Sequence, residues 1–569
     1  MTERLAIVLL LLAGCSFESA TSLETVDNRC GGDADCAAGV CDGNICIDVS
    51  GATVEVAIEV VGSASEAQRA IPASWAFDSE PFTGSNARDL VLPATREVRG
   101  TVWWDGLRVP ATLRFVRRMR SAVEPLAPVP VEVDTLREPV GGPGLDGYDF
   151  STVLVAGEMY DVIVIPTSDM VTSPTDTSAP AIRSLPPLYL EATVEGGDPA
   201  DPFRFDISFP ADLATECSAS RKTNCTLAAD VASFDGEIEL AEPGLQVRAI
   251  DEVTGRVVSS IGETDAWGRF AIRIGDETPD YLIRVTSSAG AEPFPAVSID
   301  PDVAFAGDPD RKVVRIPRLD PVWFTGSVRD QAGAPVPDAT VRFLSSSVFD
   351  YSELGLSGSF SGSATTNDDG TFGAELLSGF YSITVTPPDD SSSSWGVLSS
   401  EALVGEEVSV AEVLVVPSKV ELFGWVRTFN EEAAAGVPVL ARARLNSTLG
   451  SMHRSQEAVS NSQGGFTMGM DLGLYDMHIK VPSETGYAWL VEPALAMDND
   501  LARTYRLDPP LRVEGLVRAS DGNGVPGALI RAYVLADDGT SKRPVQVAET
   551  VADEEGNYRL LIAPRLGDE

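Results

Sequence analysis

The stretch F-T-G-S-V at 324–328 is followed by A-P-V-P-D-A-T-V-R-F at 334–343 and by T-N-D-D-G-T-F at 366–372. Apolar and polar residues alternate in T-V-R-F, the period-two pattern of a strand with one buried face. Asp and Asn start tight turns through side-chain hydrogen bonds to the backbone, and Gly adopts positive φ without steric cost. The sequence therefore predicts a hairpin turn at Gly370 and a core position for Phe372.

These pieces recur along the chain, which indicates a repeat architecture. Successive strand glycines are separated by 136, 90, 98 and 91 residues, and a Gly inside a strand indicates a bulge or a close backbone approach. We expect the turn glycines to hold φ > 0 and to be structural. The strand glycines are Gly100, Gly236, Gly326, Gly424 and Gly515, and the turn glycines are Gly268, Gly370, Gly464 and Gly556.

Two further strands accompany the repeat. A Tyr-led strand occurs at 160–166, 281–286, 381–387 and 475–482. An apolar strand ending in Pro precedes three of the Gly strands, at 89–93, 313–317 and 413–417. Many short strands without helical periodicity predict an all-β fold of tandem antiparallel β-sandwiches, Ig-like or prealbumin-like, behind a short disulfide-rich N-terminal segment.

The repeat period sets the expected domain boundaries, because about 90 residues suit one seven-strand sandwich. The expected segments are a signal peptide at 1–14, a linker at 15–29, a Cys-rich knot at 30–47, sandwiches at 48–170, 186–308, 309–415 and 416–506 with a Ser/Thr/Pro-rich linker at 171–185, and an incomplete sandwich at 507–569.

The pattern G-x-V, then [DN]-x-x-G-x-[FY], then a Tyr-led strand resembles the carboxypeptidase regulatory-like family. That resemblance implies a transthyretin-like sandwich related to bacterial Ig-like and CnaB modules, and it implies nothing about function. The first copy departs from the pattern, having G-L-D-G-Y-D-F at 144–150 in place of the turn. The last copy stops at Glu569 before its Tyr strand, so we expect it to be incomplete or to borrow an edge strand.

The N-terminus carries Arg4, an apolar run at 5–14 and then Cys15. The run is too short for a transmembrane helix and suits a signal-peptide core. The tetrapeptide L-A-G-C at 12–15 resembles a bacterial lipobox, which implies cleavage before Cys15 and acylation of that residue. The alternative is an ordinary secretory signal. We expect a lipid-anchored protein of the bacterial cell envelope.

Six cysteines remain, an even number that suits an oxidising compartment. Four of them fall within 30–46, a segment too short to bury a core, so we expect two disulfides of undetermined connectivity. A zinc knuckle is the alternative, although the spacing lacks C-x2-C pairs. The expected disulfide cysteines are Cys30, Cys36, Cys41, Cys46, Cys217 and Cys225.

Composition argues against most site chemistry. Lys and Arg number 42 against 85 Asp and Glu, a net charge of −43, which argues against binding to nucleic acid. The two histidines, His453 and His478, lie in no metal or nucleophile motif, so we expect neither an enzyme nor a metal or cofactor. Acidic turns leave a calcium interpretation open.

The sequence predicts a structural or adhesive scaffold of the envelope. The expected partners are the membrane, through the lipid anchor, and envelope polysaccharide or other surface proteins. The alternative function is that of a polysaccharide-binding surface protein. A hydrolase using only carboxylates is the third interpretation. Exposed aromatic residues on one face of successive repeats would favour polysaccharide binding. We expect Trp323 and Trp425 to pack against the protein and Trp395, in a polar Ser-rich loop, to be the exposed platform.

Overall fold

The structure is a computed structural model. It describes residues 40–42, 45–47, 50–62, 71–119, 126–136, 149–167, 180, 182, 184–197, 201–218, 221–235, 238–275, 280–287, 294–305, 312–319, 321–348, 356–404, 412–444, 453–482, 485–537 and 542–567. Apart from a 3-10 helix at Ala211–Ala214 and a single-turn helix α1 at Pro301–Ala304, regular structure in these ranges is β-strand. None of the helices in these ranges could span a bilayer.

The described residues begin with a small hairpin, followed by five strands that belong to a sandwich completed by the last strands of the chain. The hairpin pairs β1 (Val40–Asp42) with β2 (Ile45–Ile47), with Cys41 opposite Cys46. We call the next five strands the donor, because they complete another repeat. The donor strands are β3 (Thr53–Val61), β4 (Ser74–Ala76), β5 (Glu80–Thr83), β6 (Ser85–Ala87) and β7 (Leu90–Val91).

Module 1 follows the donor and packs its core around Phe115 and Phe150. Its Gly strand β8 pairs antiparallel with β13 and parallel with β16. Its strands are β8 (Thr95–Gly100), β9 (Val102–Trp104), β10 (Leu107–Arg108), β11 (Ala111–Arg117), β12 (Val131–Asp134), β13 (Phe150–Val155), β14 (Met159–Pro166), β15 (Leu188–Thr193), β16 (Phe203–Arg204) and β17 (Ile207–Ser208).

Module 2 is closed at one end by the Cys217–Cys225 disulfide, which the structure contains. Its core is separate from that of module 1. Its strands are β18 (Cys225–Asp235), β19 (Ile238–Ala241), β20 (Leu245–Asp251), β21 (Gly262–Glu263), β22 (Arg269–Ile274), β23 (Tyr281–Ser287), β24 (Ala296–Ile299) and β25 (Val313–Pro317).

Module 3 has the simplest form of the repeat. One sheet has the order β30-β26-β33 and the other has the order β29-β27-β31-β32. Its strands are β26 (Pro321–Arg329), β27 (Thr340–Ser347), β28 (Leu356–Ser359), β29 (Ser361–Thr365), β30 (Thr371–Leu377), β31 (Gly379–Thr386), β32 (Gly396–Val404) and β33 (Glu412–Val415).

Module 4 repeats that topology, with sheets of order β37-β34-β40 and β36-β35-β38-β39. Its strands are β34 (Val420–Thr428), β35 (Pro438–Ala443), β36 (Gln456–Val459), β37 (Gly465–Met470), β38 (Gly473–Ile479), β39 (Leu490–Met497) and β40 (Leu501–Leu507).

The last four strands, which we call the acceptor, form half a sandwich that the donor completes. The acceptor strands are β41 (Leu511–Arg518), β42 (Leu529–Asp537), β43 (Lys542–Val551) and β44 (Asn557–Ile562). The sheet order β4-β3-β42-β43 matches β32-β31-β27-β29 of module 3, so β3 takes the place of the missing Tyr strand. Strands β6 and β7 pair in parallel with β41, as β33 pairs with β26. We call this unit the split module.

The strand pairing divides the chain differently from the sequence-based boundaries. The segment expected to form one sandwich at 48–170 contains the donor, whose strands pair with the acceptor rather than with module 1. The apolar strand before each Gly strand closes the preceding module, because it pairs in parallel with that module's own Gly strand. Val313–Pro317 therefore belongs to module 2 and not to a sandwich beginning at 309.

The strand landmark of module 2 also differs from expectation. Gly236 lies outside the described residues, and the equivalent position is Ala229. Ala229 lies opposite Phe270 in β22, just as Gly326 lies opposite Phe372 in β30. A small side chain rather than glycine itself is therefore sufficient at this position in module 2.

Neighbouring modules touch at joints around the whole molecule. Arg273 of module 2 lies over the Trp104 ring of module 1 at 4.2 Å, and β24 of module 2 pairs with β28 of module 3. Trp395 of module 3 donates from Nε1 to the Leu472 carbonyl of module 4 at 2.9 Å.

The split module contacts module 4 and module 1, so the five modules form a closed cycle of contacts. The last two joints are Arg543 to Asp476 at 2.5 Å and Arg117 over Trp75 at 4.9 Å.

Candidate functional site

The Gly strand of each module presents one face to its core and one to solvent. In β26 of module 3, Phe324 and Val328 are buried, whereas Trp323 is 58% exposed. The alternation follows from the period of two along a strand, so residues one or three positions from Gly326 point outward. We call this solvent side of the Gly-strand sheets in modules 3 and 4 the outward aromatic face.

Trp323 lies flat on the sheet because a glycine lies beneath it. A Cβ added to Gly373, in the neighbouring strand β30, would lie 2.5 Å from Cζ2 of the indole. One face of the ring therefore covers Gly373 and the other is open to solvent. On the same face, Val413 and Val415 of β33 are 60% and 49% exposed, beside Ser327 and Arg329 and further along the strand from Trp323.

Module 4 carries two aromatic residues on the same face of its Gly strand. Phe423 and Trp425 are 38% and 40% exposed and lie two residues apart in β34, a separation of roughly 7 Å along a strand. Their partners across the sheet are the small residues Thr467 and Gly465, and about two-fifths of each aromatic side chain stays exposed. The two side chains form a short row of apolar rings.

The solvent side of the Gly-strand sheet carries different residues in the other modules. Trp267 of module 2 is 68% exposed at a turn, with the guanidinium of Arg269 4.7 Å from its ring centre. Trp103 of module 1 is partly covered by Arg108, which lies 5.1 Å from the ring centre. The split module carries charged residues instead, including the ion pair of Arg512 with Glu514. Uncovered aromatic rings on the sheet face itself are therefore concentrated in modules 3 and 4.

The expected roles of the tryptophans are reversed in the structure. Trp323 and Trp425, expected to pack, are exposed on the outward aromatic face. Trp395, expected to be an exposed platform, stacks on His453 with ring centres 6.1 Å apart and hydrogen-bonds to module 4. The Ser-rich loop carries Trp395 into the joint between modules 3 and 4, so it is a structural contact.

That joint is a polar cluster sealed by aromatic rings. His453 is 6% exposed, lies edge-on to Tyr475 and is within 2.7 Å of the Leu474 carbonyl through Nε2. Arg454 donates from Nε and Nη2 to the two carboxylate oxygens of the fully buried Asp471, at 2.8 and 2.7 Å. Arg454 also donates from Nη1 to the Pro387 carbonyl of module 3 at 2.7 Å, so this cluster, with its bidentate pair fixing the geometry, joins modules 3 and 4.

His478 lies at the joint between module 4 and the split module. It is 5% exposed, and its Nδ1 has no hydrogen-bond partner among the described residues. Burial, together with the nearby charge of Arg442, lowers the pKa of His478 to about 4, so the imidazole is neutral at pH 7. A buried imidazole that is neutral at pH 7 and has no Nδ1 partner among the described residues is a packing group rather than a general base positioned for catalysis.

The turn glycines share one environment. Their φ values are +74°, +78°, +73° and +88° for Gly268, Gly370, Gly464 and Gly556. A Cβ at each would lie 2.4 to 2.9 Å from the carbonyl oxygen of a valine in the Gly strand of the same module. The aromatic residue two positions later is buried in every copy, as for Phe372 at 4% exposure.

The structure describes only some of the cysteines for which the sequence predicts a role. Cys15, Cys30 and Cys36 lie outside the described residues, and for Cys41 and Cys46 the structure gives the backbone pairing alone. Cys217 and Cys225 form a disulfide with both side chains buried.

No group of three or more His, Cys, Asp or Glu side chains within the described ranges is arranged to hold a metal ion. A small cavity lined by described residues lies between the donor and module 1, beside Arg117 and Tyr160. Its volume is about 30 Å³, room for about two waters and too small for an organic ligand. The outward aromatic face is therefore the candidate binding surface.

No known family's sequence profile matches the chain, and no curated protein sequence matches it. Several solved structures match part of the chain. The Bacillus anthracis TIE protein matches with 10% identity over 70% of this chain and 68% of its own, at a TM-score of 0.17. GBS52, the minor pilin of Streptococcus agalactiae, matches with 15% identity over 32% of this chain and 95% of its own, at 0.20.

BcpA, the major pilin subunit of Bacillus cereus, matches with 11% identity over 50% of this chain and 99% of its own, at a TM-score of 0.15. TM-scores of this size support no argument about function. The tandem β-sandwich fold rests on the sheets and cores of the chain itself.

Proposed function

We propose that the protein is a structural or adhesive scaffold of a bacterial cell envelope, tethered by a lipid on Cys15. The observation that carries the proposal is the closed cycle of modules, because it holds five sandwiches in a fixed relation and sets the direction of each outward face. The net charge of −43 suits a soluble, non-aggregating array and disfavours anionic partners.

The tether is tested by fractionating cells that express the wild-type chain or the Cys15→Ala variant. The wild-type protein is expected in the membrane fraction, and the variant in the soluble fraction. Ser16→Ala, next to the acylation site, is the matched control and is expected to remain with the membrane. Membrane retention of Cys15→Ala would overturn the tether.

The scaffold itself is tested by chemical cross-linking on intact cells, with recovery of the envelope components bound to the chain. A scaffold is expected to retain the same neighbours in every preparation and to lose them when Cys15→Ala releases it. Recovery of the chain alone, without any cross-linked component, would count against a scaffold role.

A second candidate function is the binding of a neutral polysaccharide, favoured by the exposed rings of Trp323, Phe423 and Trp425. Flat apolar rings that are open on one side suit the C–H faces of sugar rings, since such rings bury a large area at low entropic cost. The charge of −43 repels anionic polysaccharides and nucleic acids. A neutral glycan is therefore the favoured ligand class.

Binding is tested by affinity electrophoresis in gels containing a neutral glucan or the anionic polysaccharide alginate. The wild-type chain is expected to be retarded by the glucan alone, and Trp323→Ala combined with Trp425→Ala should abolish the retardation. Phe380→Ala removes a 47% exposed ring from the other sheet of module 3 and is the matched control. Equal retardation of all three proteins would exclude the outward aromatic face.

A further inference from the structure

The donor and the acceptor each expose an unfinished core when separated. Ile58 and Val60 of the donor and Val513 and Ile530 of the acceptor are at most 2% exposed, and all four belong to one cluster. Neither half retains a closed core alone, because three donor strands pair with the acceptor. Strand β3 pairs with β42, and β6 and β7 pair with β41.

The boundary between donor and acceptor leaves the neighbouring joints intact. Module 1 contacts the donor, where Arg117 lies over the ring of Trp75. Module 4 contacts the acceptor, where Asp476 accepts from Arg543. If the split module opens along this boundary, the donor can therefore remain on module 1 and the acceptor can remain on module 4.

The connection between the donor and module 1 is short. Residues 92–94 join β7 to β8, and the link is held at both ends by backbone hydrogen bonds. The Leu92 amide donates to the Arg518 carbonyl of the acceptor at 2.8 Å, and the Ala156 amide of module 1 donates to the Ala94 carbonyl at 2.9 Å. A short connection of this kind couples the donor to module 1 and favours exchange of the whole unit between copies.

We infer that the acceptor is also an interaction surface for a second copy of this chain, which supplies its donor in exchange. Closure within one chain requires all the intervening joints to hold the ends together. When a joint opens, the exposed acceptor needs a complementary apolar partner, and the donor of an identical chain offers the same pairs. Reciprocal exchange satisfies both copies and closes the assembly as a dimer.

Charge controls this exchange. Each copy carries a net charge of −43, so two copies repel, and added salt screens that repulsion. Dimer formation is therefore expected to rise with both protein concentration and ionic strength. At low conversion, a tenfold increase in protein concentration should raise the dimer-to-monomer ratio about tenfold by mass action.

The test uses two variants of the full chain, each carrying Cys15→Ser and one added cysteine, with the six other native cysteines kept. Ala87 in β6 lies beside Glu514 in β41, so Ala87→Cys in one copy meets Glu514→Cys in another only if donors are exchanged. The two variants are unfolded together without reductant, refolded at high salt and oxidised. The expected product is a covalent dimer whose peptide map joins residue 87 to residue 514.

A mixture of Ala87→Cys with Glu457→Cys, at an exposed position of module 4, is the control and should give no peptide that joins residues 87 and 457. The double variant Ala87→Cys/Glu514→Cys verifies that the two positions can be joined. Exchange is overturned if the double variant forms the bond while the mixed single variants form none at any concentration or salt. The proposed dependence on protein concentration is also overturned if tenfold dilution before refolding leaves the yield of mixed dimer unchanged.

Discussion

Val60 in β3 lies directly opposite Ile530 in β42, so residues 470 positions apart are neighbours in one antiparallel sheet. The pair places the two ends of the chain in the same hydrophobic core. A four-strand remnant is thereby completed without an extra repeat. The same pairing closes the cycle of modules. The stability of the last repeat therefore depends on the donor, which precedes modules 1 to 4 in the sequence.

Replacing the core aromatic residue Phe372 should show how much one buried ring contributes to the stability of module 3. Phe372 lies with its ring centre 6.2 Å from that of Phe324 and 6.1 Å from that of Phe343. Phe372→Ala should lower the free energy of unfolding by about 3 to 5 kcal/mol because it opens a cavity. Phe380→Ala, on an exposed ring, should change it by less than about 0.5 kcal/mol, as measured by urea denaturation. Equal effects of the two changes would contradict the assigned core.

The turn glycine of module 3 should be less replaceable than a turn glycine in open space. Gly370 and Gly333 have φ of +78° and +83°, but only at Gly370 would a Cβ meet an atom, the Val328 carbonyl oxygen at 2.6 Å. Gly333→Ala should cost about 1 to 2 kcal/mol for the left-handed backbone alone. Gly370→Ala should cost clearly more, measured by the same denaturation. A smaller loss for Gly370→Ala would contradict the close approach.

The disulfide of module 2 should stabilise that module by restricting the unfolded chain. The cysteines are 8 positions apart, and closing so short a loop is worth about 2 to 3 kcal/mol in the chain-entropy description. Cys217→Ala combined with Cys225→Ala should reduce the stability of module 2 by that amount, seen as faster amide exchange in β18 and β22. Unchanged exchange in those strands would count against the prediction.

The joint at His478 should weaken as the pH falls. Its pKa in the folded chain is lowered to about 4 by burial, below the ordinary 6.5, so folding favours the neutral form. Its contribution is complete above pH 6.5 and is lost progressively between pH 6.5 and 4, because the unfolded state takes up the proton first. Between pH 7.5 and 5.5 the loss should be about 1 kcal/mol.

The control for this pH effect is His478→Leu, which has no imidazole to protonate. Its denaturation should be compared with that of the wild-type chain at pH 7.5 and 5.5. The difference in unfolding free energy between the two proteins should shift by about 1 kcal/mol in favour of the variant at the lower pH. A pH-independent difference would show that the pKa of His478 is not lowered by folding.

Local signals in the sequence predicted the local structure well. The period-two alternation around Gly326 and the polar turn before Phe372 indicate a sandwich repeat, and the sheets have that form. The same alternation also indicates on which face of the strand the tryptophans lie. Trp323 and Trp425 lie three and one positions from Gly326 and Gly424, which places both rings on the face opposite the core.

Features that depend on distant partners could not be read from those signals. Strand β3 has the sequence T-V-E-V-A-I-E-V-V without the leading Tyr, so nothing local relates it to the strand it replaces in the last repeat. Ala229 fills a position that glycine holds elsewhere, which hid the true landmark of module 2. Trp395 looked exposed because its loop is polar, but its neighbours come from module 4.

The central claim, that the first strands of the chain complete the last repeat, is tested most directly by oxidising the Ala87→Cys/Glu514→Cys variant and mapping its disulfides. The two positions are partners in the parallel pair of β6 and β41, so a peptide joining residues 87 and 514 should form in high yield. Ala87→Cys combined with Glu457→Cys, at an exposed position of module 4, should give no disulfide between the two added cysteines. Failure of the 87–514 bond to form, with both thiols free and reactive in the folded protein, would contradict the account.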